Sequence, residues 1–227
     1  KKERELYKLL HKKIIIVGVC DSKGAVFCQN GFDIARLISL KNEGKSVVNY
    51  DGNDMRRFKD IYGMITDGFV ENGYDILIDA APMNLIDGKP SYQANLYALN
   101  AGKKVILANK SSLVVGFDDM MKAGIKCNNG KLSNNLRYSS TVCGGMPVIN
   151  VLIHDVLPNI QNITKITGLF NSTTNYILTR LHKYIDDENV TFNSVLKEMQ
   201  DIGVAEEDPN NDIKGIDSTC KLIIIMK

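Results

Sequence analysis

Apolar residues along the chain fall into short runs separated by polar stretches, and three of these runs read as strands. Ile14 to Val19 is apolar on both faces, as a buried parallel strand requires. Ile76-Leu77-Ile78-Asp79 and Lys104 to Ala108 have the same character. Helical stretches lie between them: Asp33 opens a short helix over Ile34 to Leu40, and others are predicted over about Asp54 to Tyr62 and over Tyr92 to Leu99. Strands separated by helices predict a parallel α/β sheet.

Past about Tyr138 the pattern changes. Arg137 to Val142 reads as a strand leading into Cys143-Gly144-Gly145-Met146-Pro147. Val148 to Val156 reads as a helix with Pro147 at its first position. Ile163 to Phe170 alternates loosely and is expected as a strand, whereas Thr173 to Leu181, Asn193 to Met199 and Ile213 onward are expected as helices. The domain boundary is placed near Tyr138, giving 1–138 and 139–227. Both ends look cut. Glu5 to Leu10 resembles the last turns of an amphipathic helix, and Leu222 to Met226 is an apolar run followed by Lys227 alone. The sequence is therefore expected to be part of a longer fold.

Composition narrows the function classes. A chain of 227 residues makes one large domain or two small ones. Hydrophobic residues at 44% and charged residues at 24% exclude disorder. Lys plus Arg is 28 against 26 for Asp plus Glu, so a nucleic-acid groove and an anionic-membrane surface are not expected. No apolar run approaches the ~20 residues of a membrane helix. The start, Lys1-Lys2-Glu3-Arg4-Glu5, lacks the apolar core of a signal peptide. Five scattered cysteines without a CxxC pair read as reduced thiols of a cytoplasmic protein.

Four places could carry chemistry. Asp21 follows the first apolar run, where an acidic group can bond the ribose hydroxyls of a dinucleotide, and Lys23 beside it could face a 2′-phosphate. Both also suit an ordinary turn. Lys110 follows the strand ending at Ala108, at the sheet edge where open α/β folds bind ligands, and equally suits a surface lysine before a helix. Phe170-Asn171-Ser172-Thr173-Thr174 offers backbone N–H groups to an anion such as a carboxylate, or simply a good N-cap. The stretch Gly203 to Asp212 is the densest in polar residues, and Asp217 and Lys221 follow it four apart on one helix face. Carboxylates there could hold a substrate ammonium, and a lysine could move a proton. The bland alternative is a solvated acidic loop with a helix ion pair.

Taken in order, these segments resemble homoserine dehydrogenase over nearly the whole chain. The resemblance is carried by Val19-Cys20-Asp21-Ser22-Lys23-Gly24, Ala108-Asn109-Lys110, Tyr138 to Pro147, Gly168-Leu169-Phe170-Asn171-Ser172-Thr173-Thr174-Asn175-Tyr176, and Ala205-Glu206-Glu207-Asp208-Pro209 through Asp212, Gly215, Asp217 and Lys221. Ser172 stands where the family usually has Gly, Ser139 where an acidic residue is common, and Ala81-Pro82 where hydroxyl residues are frequent. The resemblance implies an α/β fold: a Rossmann-type parallel sheet, N-terminally incomplete, followed by an α/β substrate-binding and dimerisation domain. It implies NAD- or NADP-dependent interconversion of L-homoserine and L-aspartate 4-semialdehyde, on the route to threonine and methionine. Lys221 and Lys110 would flank the reacting oxygen, with Lys221 the proton donor. Glu206, Asp217, Asp212, Ser172 and Thr173 would bind the amino-acid substrate. Asp21, Lys23, Ala80, Ala81 and Lys110 would contact the cofactor. Backbone carbonyls of Ser139, Val142, Gly144 and Met146 would hold a monovalent cation such as sodium. A homodimer is also implied. The competing reading is a non-catalytic nucleotide-binding or dimerisation remnant of that fold.

Overall fold

A computed structural model describes residues 11, 13–128, 131–159, 163–203, 205 and 209–227, with the side chains of 126–128 and 131–133 left aside. The helix expected over Glu5 to Leu10 lies outside these residues.

The parallel sheet forms where the apolar runs place it. Strands β4 (Ile76–Asp79), β5 (Lys104–Leu107) and β8 (Leu136–Arg137) lie in the order β4-β5-β8 and run parallel. Leu77, Val105, Leu107 and Leu136 are buried in the main core. Helices α3 (Ser91–Asn100) and α4 (Ser111–Gly124) follow β4 and β5 and pack on each other. Ala94, Ala98, Leu99, Leu113 and Met120 bring their apolar stripes to the same core. Truncating a leucine there, such as Leu99 or Leu107, is expected to cost about 2–5 kcal/mol. A hairpin of β6 (Ile125–Asn128) and β7 (Lys131–Asn134) links α4 to β8.

The first expected strand is corrected. It begins at Gly18, as β1 (Gly18–Asp21), and runs antiparallel to β2 (Gly24–Cys28). Ile14 and Ile15 remain more than half exposed. The cause is the turn after Asp21. The Asp21 carboxylate accepts from Lys23 N at 3.0 Å, and Gly24 takes φ +148°, which sends the chain straight back. A Cβ on Gly24 would lie 2.8 Å from Phe58 O, so the close strand approach requires glycine. β2 is buried throughout because apolar residues cover both of its faces: Ala25 and Phe27 join the main core, and Val26 and Cys28 join Phe32, Val47 and Tyr50.

The helix expected after Asp33 forms as α1 (Ile34–Asn42), capped by the Asp33 carboxylate, but three further expectations change. The helix expected over Asp54 to Tyr62 is strand β3 (Met55–Phe58), paired antiparallel with β2, and then helix α2 (Ile61–Ile65), capped by Asp60. Pairing with a buried neighbour overrides local propensity here. The strand expected over Arg137 to Val142 ends at Arg137, and a 3₁₀ turn at Ser139–Thr141 follows, closed by Thr141 Oγ1 donating to Tyr138 O at 2.7 Å. Ile163 to Phe170 forms no strand, because no neighbouring strand among the described residues offers it a ladder, and Leu169 stays exposed.

The described remainder is helical: α5 (Val148–Val151) running into a π turn at Leu152–Val156, α6 (Ser172–Lys183), α7 (Phe192–Asp201), α8 (Asn210–Ile213) and α9 (Ile216–Met226). The helix expected from Ile213 onward begins at Ile216 instead, because Gly215 adopts φ +73° between α8 and α9. Ile149 and Ile224 enter the same core as β5, so the carboxyl edge of the parallel sheet faces α9.

Candidate active site

Three charged side chains from two elements meet at that edge. Lys110 lies just past β5, where Asn109 and Lys110 turn the chain into α4. Asp217 stands in the first turn of α9, where a carboxylate is favoured by the helix dipole, and Lys221 stands one turn later. Asp217 Oδ1 lies 3.2 Å from Lys110 Nζ, and Asp217 Oδ2 lies 2.6 Å from Lys221 Nζ. The side chains are between 11% and 15% exposed, so the cluster is nearly dry but reachable. Lys221 also donates a short hydrogen bond to the Phe170 carbonyl.

The start of α6 closes the cluster from the other side. Asn171 is the N-cap: its Oδ1 accepts from Thr174 N at 2.8 Å. Its Nδ2 donates to Asp217 Oδ2 at 3.0 Å and to Asp212 Oδ1 at 2.6 Å. Thr173 Oγ1 donates to the other oxygen of Asp212 at 2.7 Å. Burial pushes the Asp217 carboxyl upward. The hydrogen bonds from Lys221 and Asn171 and the Lys110 charge outweigh it, and the net pKa lies below the usual carboxylate value. Asp217 is thus an anion shared by two ammonium groups.

The structure therefore brings together Lys110, Lys221, Asp217, Asp212 and Thr173, which the sequence had placed on three separate stretches. Ser172 sits in the first turn of α6 but is exposed. Glu206 lies outside the described residues. Ala80 and Ala81 are exposed just past β4, and Ala81 N donates to Asp79 Oδ1 at 3.1 Å. Ser139, Val142, Gly144 and Met146 lie on the loop before α5, where Ser139 Oγ donates to Asn150 Oδ1 at 2.7 Å and Cys143 and Gly144 both take φ +59°.

Asp21 and Lys23 stand apart, at the β1–β2 turn. Lys23 is exposed. The Asp21 carboxylate accepts from Lys41 Nζ at 2.8 Å, Ser46 Oγ at 2.8 Å, Val47 N at 2.9 Å and Lys23 N at 3.0 Å. An ionised carboxylate has about four acceptor sites, so Asp21 is occupied within the chain. Burial raises its pKa, but these donors lower it further, to well below the ordinary range.

Asn171 was missed as a site residue, although its place before Ser-Thr-Thr already marks an N-cap. A second group of buried polar residues was also missed: Asp79, Ser91, Asn95, Asn109, Ser111 and Ser112 lie under Lys110. Asp79, the pair Ser91 and Asn95, and the run Asn109 to Ser112 stand apart in sequence, and the pairing of β4 with β5 joins them.

The carboxyl edge of β4 and β5 fits the reactive end of a nicotinamide cofactor. Ala80 and Ala81 present small side chains there, and Lys110 brings an ammonium beside them. Asp21 fits a ribose poorly, since its acceptor sites are taken.

Comparison with known proteins bears on the chain as a whole. The homoserine dehydrogenase family model matches residues 147–227. The model of the glutamate/leucine/phenylalanine/valine dehydrogenases matches residues 4–134, which carry the sheets, and stops short of Asn171, Asp212, Asp217 and Lys221. Relatives that align across both halves decide between them. A homoserine dehydrogenase of Methanocaldococcus jannaschii is 30% identical over 98% of this chain and 61% of its own length. An NAD(+)-dependent homoserine dehydrogenase of Pseudomonas canavaninivorans is 30% identical over 92% of this chain and 55% of its own length. A hyperthermophilic archaeal homoserine dehydrogenase solved in complex with NADPH superposes with a TM-score of 0.69 at 25% identity, covering 98% of this chain and 64% of the other. The chain thus spans about three-fifths of the length of such relatives. Across both of its halves the chain is thus similar to homoserine dehydrogenases.

Proposed function

We propose that the protein interconverts L-homoserine and L-aspartate 4-semialdehyde with NAD or NADP. One observation carries this reading: two lysines from different elements share the Asp217 carboxylate, at 3.2 and 2.6 Å, at the carboxyl edge of the sheet. When bound, the nicotinamide supplies or accepts the hydride. The chain's own residues handle the oxygen. As the aldehyde carbon is reduced, negative charge grows on its oxygen. An ammonium beside it stabilises that charge and then protonates it. Lys221 is the proton donor in this reading, oriented by Asp217 and the Phe170 carbonyl, and Lys110 stabilises the oxygen from the cofactor side. Oxidation of homoserine runs the same path backward.

Asp212, Asp217, Thr173, Ser172 and Glu206 hold the amino-acid end of the substrate. Ala80, Ala81 and Lys110 border the nicotinamide. Lys23, exposed at the β1–β2 turn, faces the adenosine end, and Asp21 fixes that turn. Relatives with NAD and with NADPH are both known, so either cofactor is a candidate.

The same reading includes a monovalent cation on the carbonyls of Ser139, Val142, Gly144 and Met146. It also includes a homodimer through residues 139–227, and a cytoplasmic place on the route to threonine and methionine. Unpaired Cys20, Cys28, Cys143 and Cys220 suit a reducing compartment. No described helix is long and apolar enough to cross a membrane.

The test is turnover of L-homoserine by the full-length protein with each cofactor, followed by nicotinamide absorbance. Turnover that vanishes in Lys221→Ala supports the proposal. A well-folded protein that binds NAD or NADP but turns over no homoserine refutes it in favour of the non-catalytic alternative.

A further inference from the structure

We infer that Asn109, held by the buried carboxylate of Asp79, is a positioning residue that sets where Lys110 presents its ammonium. The inference rests on the proposed role of Lys110.

Asn109 and Asp79 are both buried, at 3% and 7% exposure, directly below the site. The backbone ties are short. Asp79 O, at the end of β4, accepts from Ala108 N at 2.8 Å and from Asn109 N at 3.1 Å. The side chain of Asn109 then brackets Lys110. Its Oδ1 accepts from Ser111 N at 2.9 Å and from Ser111 Oγ at 2.8 Å, on the far side of Lys110. Its Nδ2 points back to the Asp79 carboxylate, at 3.4 and 3.5 Å, and to Ser91 Oγ at 3.4 Å. Asp79 is anchored in turn. Its carboxylate accepts from Asn95 Nδ2 at 2.7 Å, Ala81 N at 3.1 Å and Ser91 Oγ at 3.4 Å. Ser111 Oγ also accepts from Asn84 N at 2.8 Å, which fastens the loop after β4 to the same network.

A fold that needed only a helix start here would be served by a surface serine cap. Here a buried carboxylate has neutral donors among the described residues, and burying such a charge is costly. What that arrangement fixes is the backbone on both sides of Lys110. Freed of it, the lysine stem would swing, and the 3.2 Å approach to Asp217 would loosen. A displacement of about 1 Å at a reacting group can cost roughly 10²-fold in rate. Asn109 touches neither substrate nor cofactor in this account; it acts through Lys110.

The experiment reads Lys110 directly. Side-chain NMR of lysine-labelled full-length protein gives the Lys110 Cε and Nζ signals, assigned by their loss in Lys110→Ala. In Asn109→Ala the Lys110 signals should move as far as they do in Asp217→Asn. Asp79→Asn removes the carboxylate at nearly constant volume and should move them in the same way, which keeps the test valid if Asn109→Ala does not fold. Homoserine turnover in either variant should fall by roughly 10²-fold. The loss should shrink to within about twofold when Lys110 is already alanine, because a residue acting through Lys110 has nothing left to position. Lys110 signals that stay in place in the folded variants overturn the inference, as does a turnover loss of equal size in both lysine backgrounds. If the signals move while the wild-type protein turns over no homoserine, the positioning stands and the enzymatic reading falls.

Discussion

Lys221 and Asp217 meet at 2.6 Å on consecutive turns of α9, so the proposed proton donor and the carboxylate beside it are carried on one rigid element. Lys110 reaches the same carboxylate from the sheet. The two lysines can therefore be separated by substitution. Lys221→Ala should lower kcat by roughly 10²–10⁴-fold, as for a lost general acid, with cofactor affinity nearly unchanged. Lys110→Ala should also weaken cofactor binding, because Lys110 sits at the sheet edge. Steady-state kinetics and cofactor titration on both variants check this. Wild-type turnover in Lys221→Ala with a loss in Lys110→Ala would transfer the donor role to Lys110.

Asp217→Asn should destabilise the protein by about 2–3 kcal/mol near neutral pH. It leaves two nearly dry ammonium groups without their counter-ion, and the figure lies below the fully buried range because some solvent reaches the cluster. The pH dependence follows from the lowered carboxyl pKa. That group's contribution is complete above the unfolded carboxylate value of about 3.9 and is lost as pH falls through the lower folded value. Denaturant unfolding at several pH values should show the wild-type and Asp217→Asn curves converging in acid. A gap that widens as pH falls would contradict the ion cluster.

On the proposal that Lys23 faces a 2′-phosphate, Lys23→Glu should weaken NADP by roughly tenfold or more while changing NAD little. Equal losses for both cofactors would reduce Lys23 to a turn residue. Asp21→Ala should act on folding instead. Removing one carboxylate with four donors should cost about 2–3 kcal/mol, seen as a lower Tm.

Gly116→Ala should destabilise by about 1–3 kcal/mol. Gly116 breaks α4 with φ −146° and ψ 55°, and a Cβ there would lie 2.4 Å from Tyr92 Cε2. The clash would push α4 away from α3. Thermal unfolding measures it, and Tyr92→Ala in the same chain should recover part of the loss.

The parallel strands were legible because Ile76-Leu77-Ile78 and Val105-Ile106-Leu107 are short continuous apolar runs, but the expectation that both faces are covered fails for β4, which buries Leu77 and Asp79 and leaves Ile76 and Ile78 exposed. The Asp217–Lys221 pair was legible from its spacing of four. Met55-Arg56-Arg57-Phe58 was not, because its strand state comes from β2, a neighbour distant in sequence. The hairpin of β6 and β7 carried a local signal, Asn129-Gly130, but the flanking Ile125-Lys126-Cys127-Asn128 and Lys131-Leu132-Ser133-Asn134 are too short and too poor in apolar residues to stand out as strands. Asn171 and Asn109 each look like ordinary caps. Their amide donors find carboxylates only once strands and helices from far along the chain are packed together.

The shared carboxylate also makes the site a sensor of its own assembly. Asp217 and Lys221 travel with α9, and Lys110 travels with β5, so the ion cluster exists only while Ile224 is seated in the sheet's core. Warming that unseats α9 would dismantle the proposed catalytic group while the parallel sheet is still intact. Heat inactivation should therefore precede loss of secondary structure, and the interval between the two would gauge how firmly the final helix is docked.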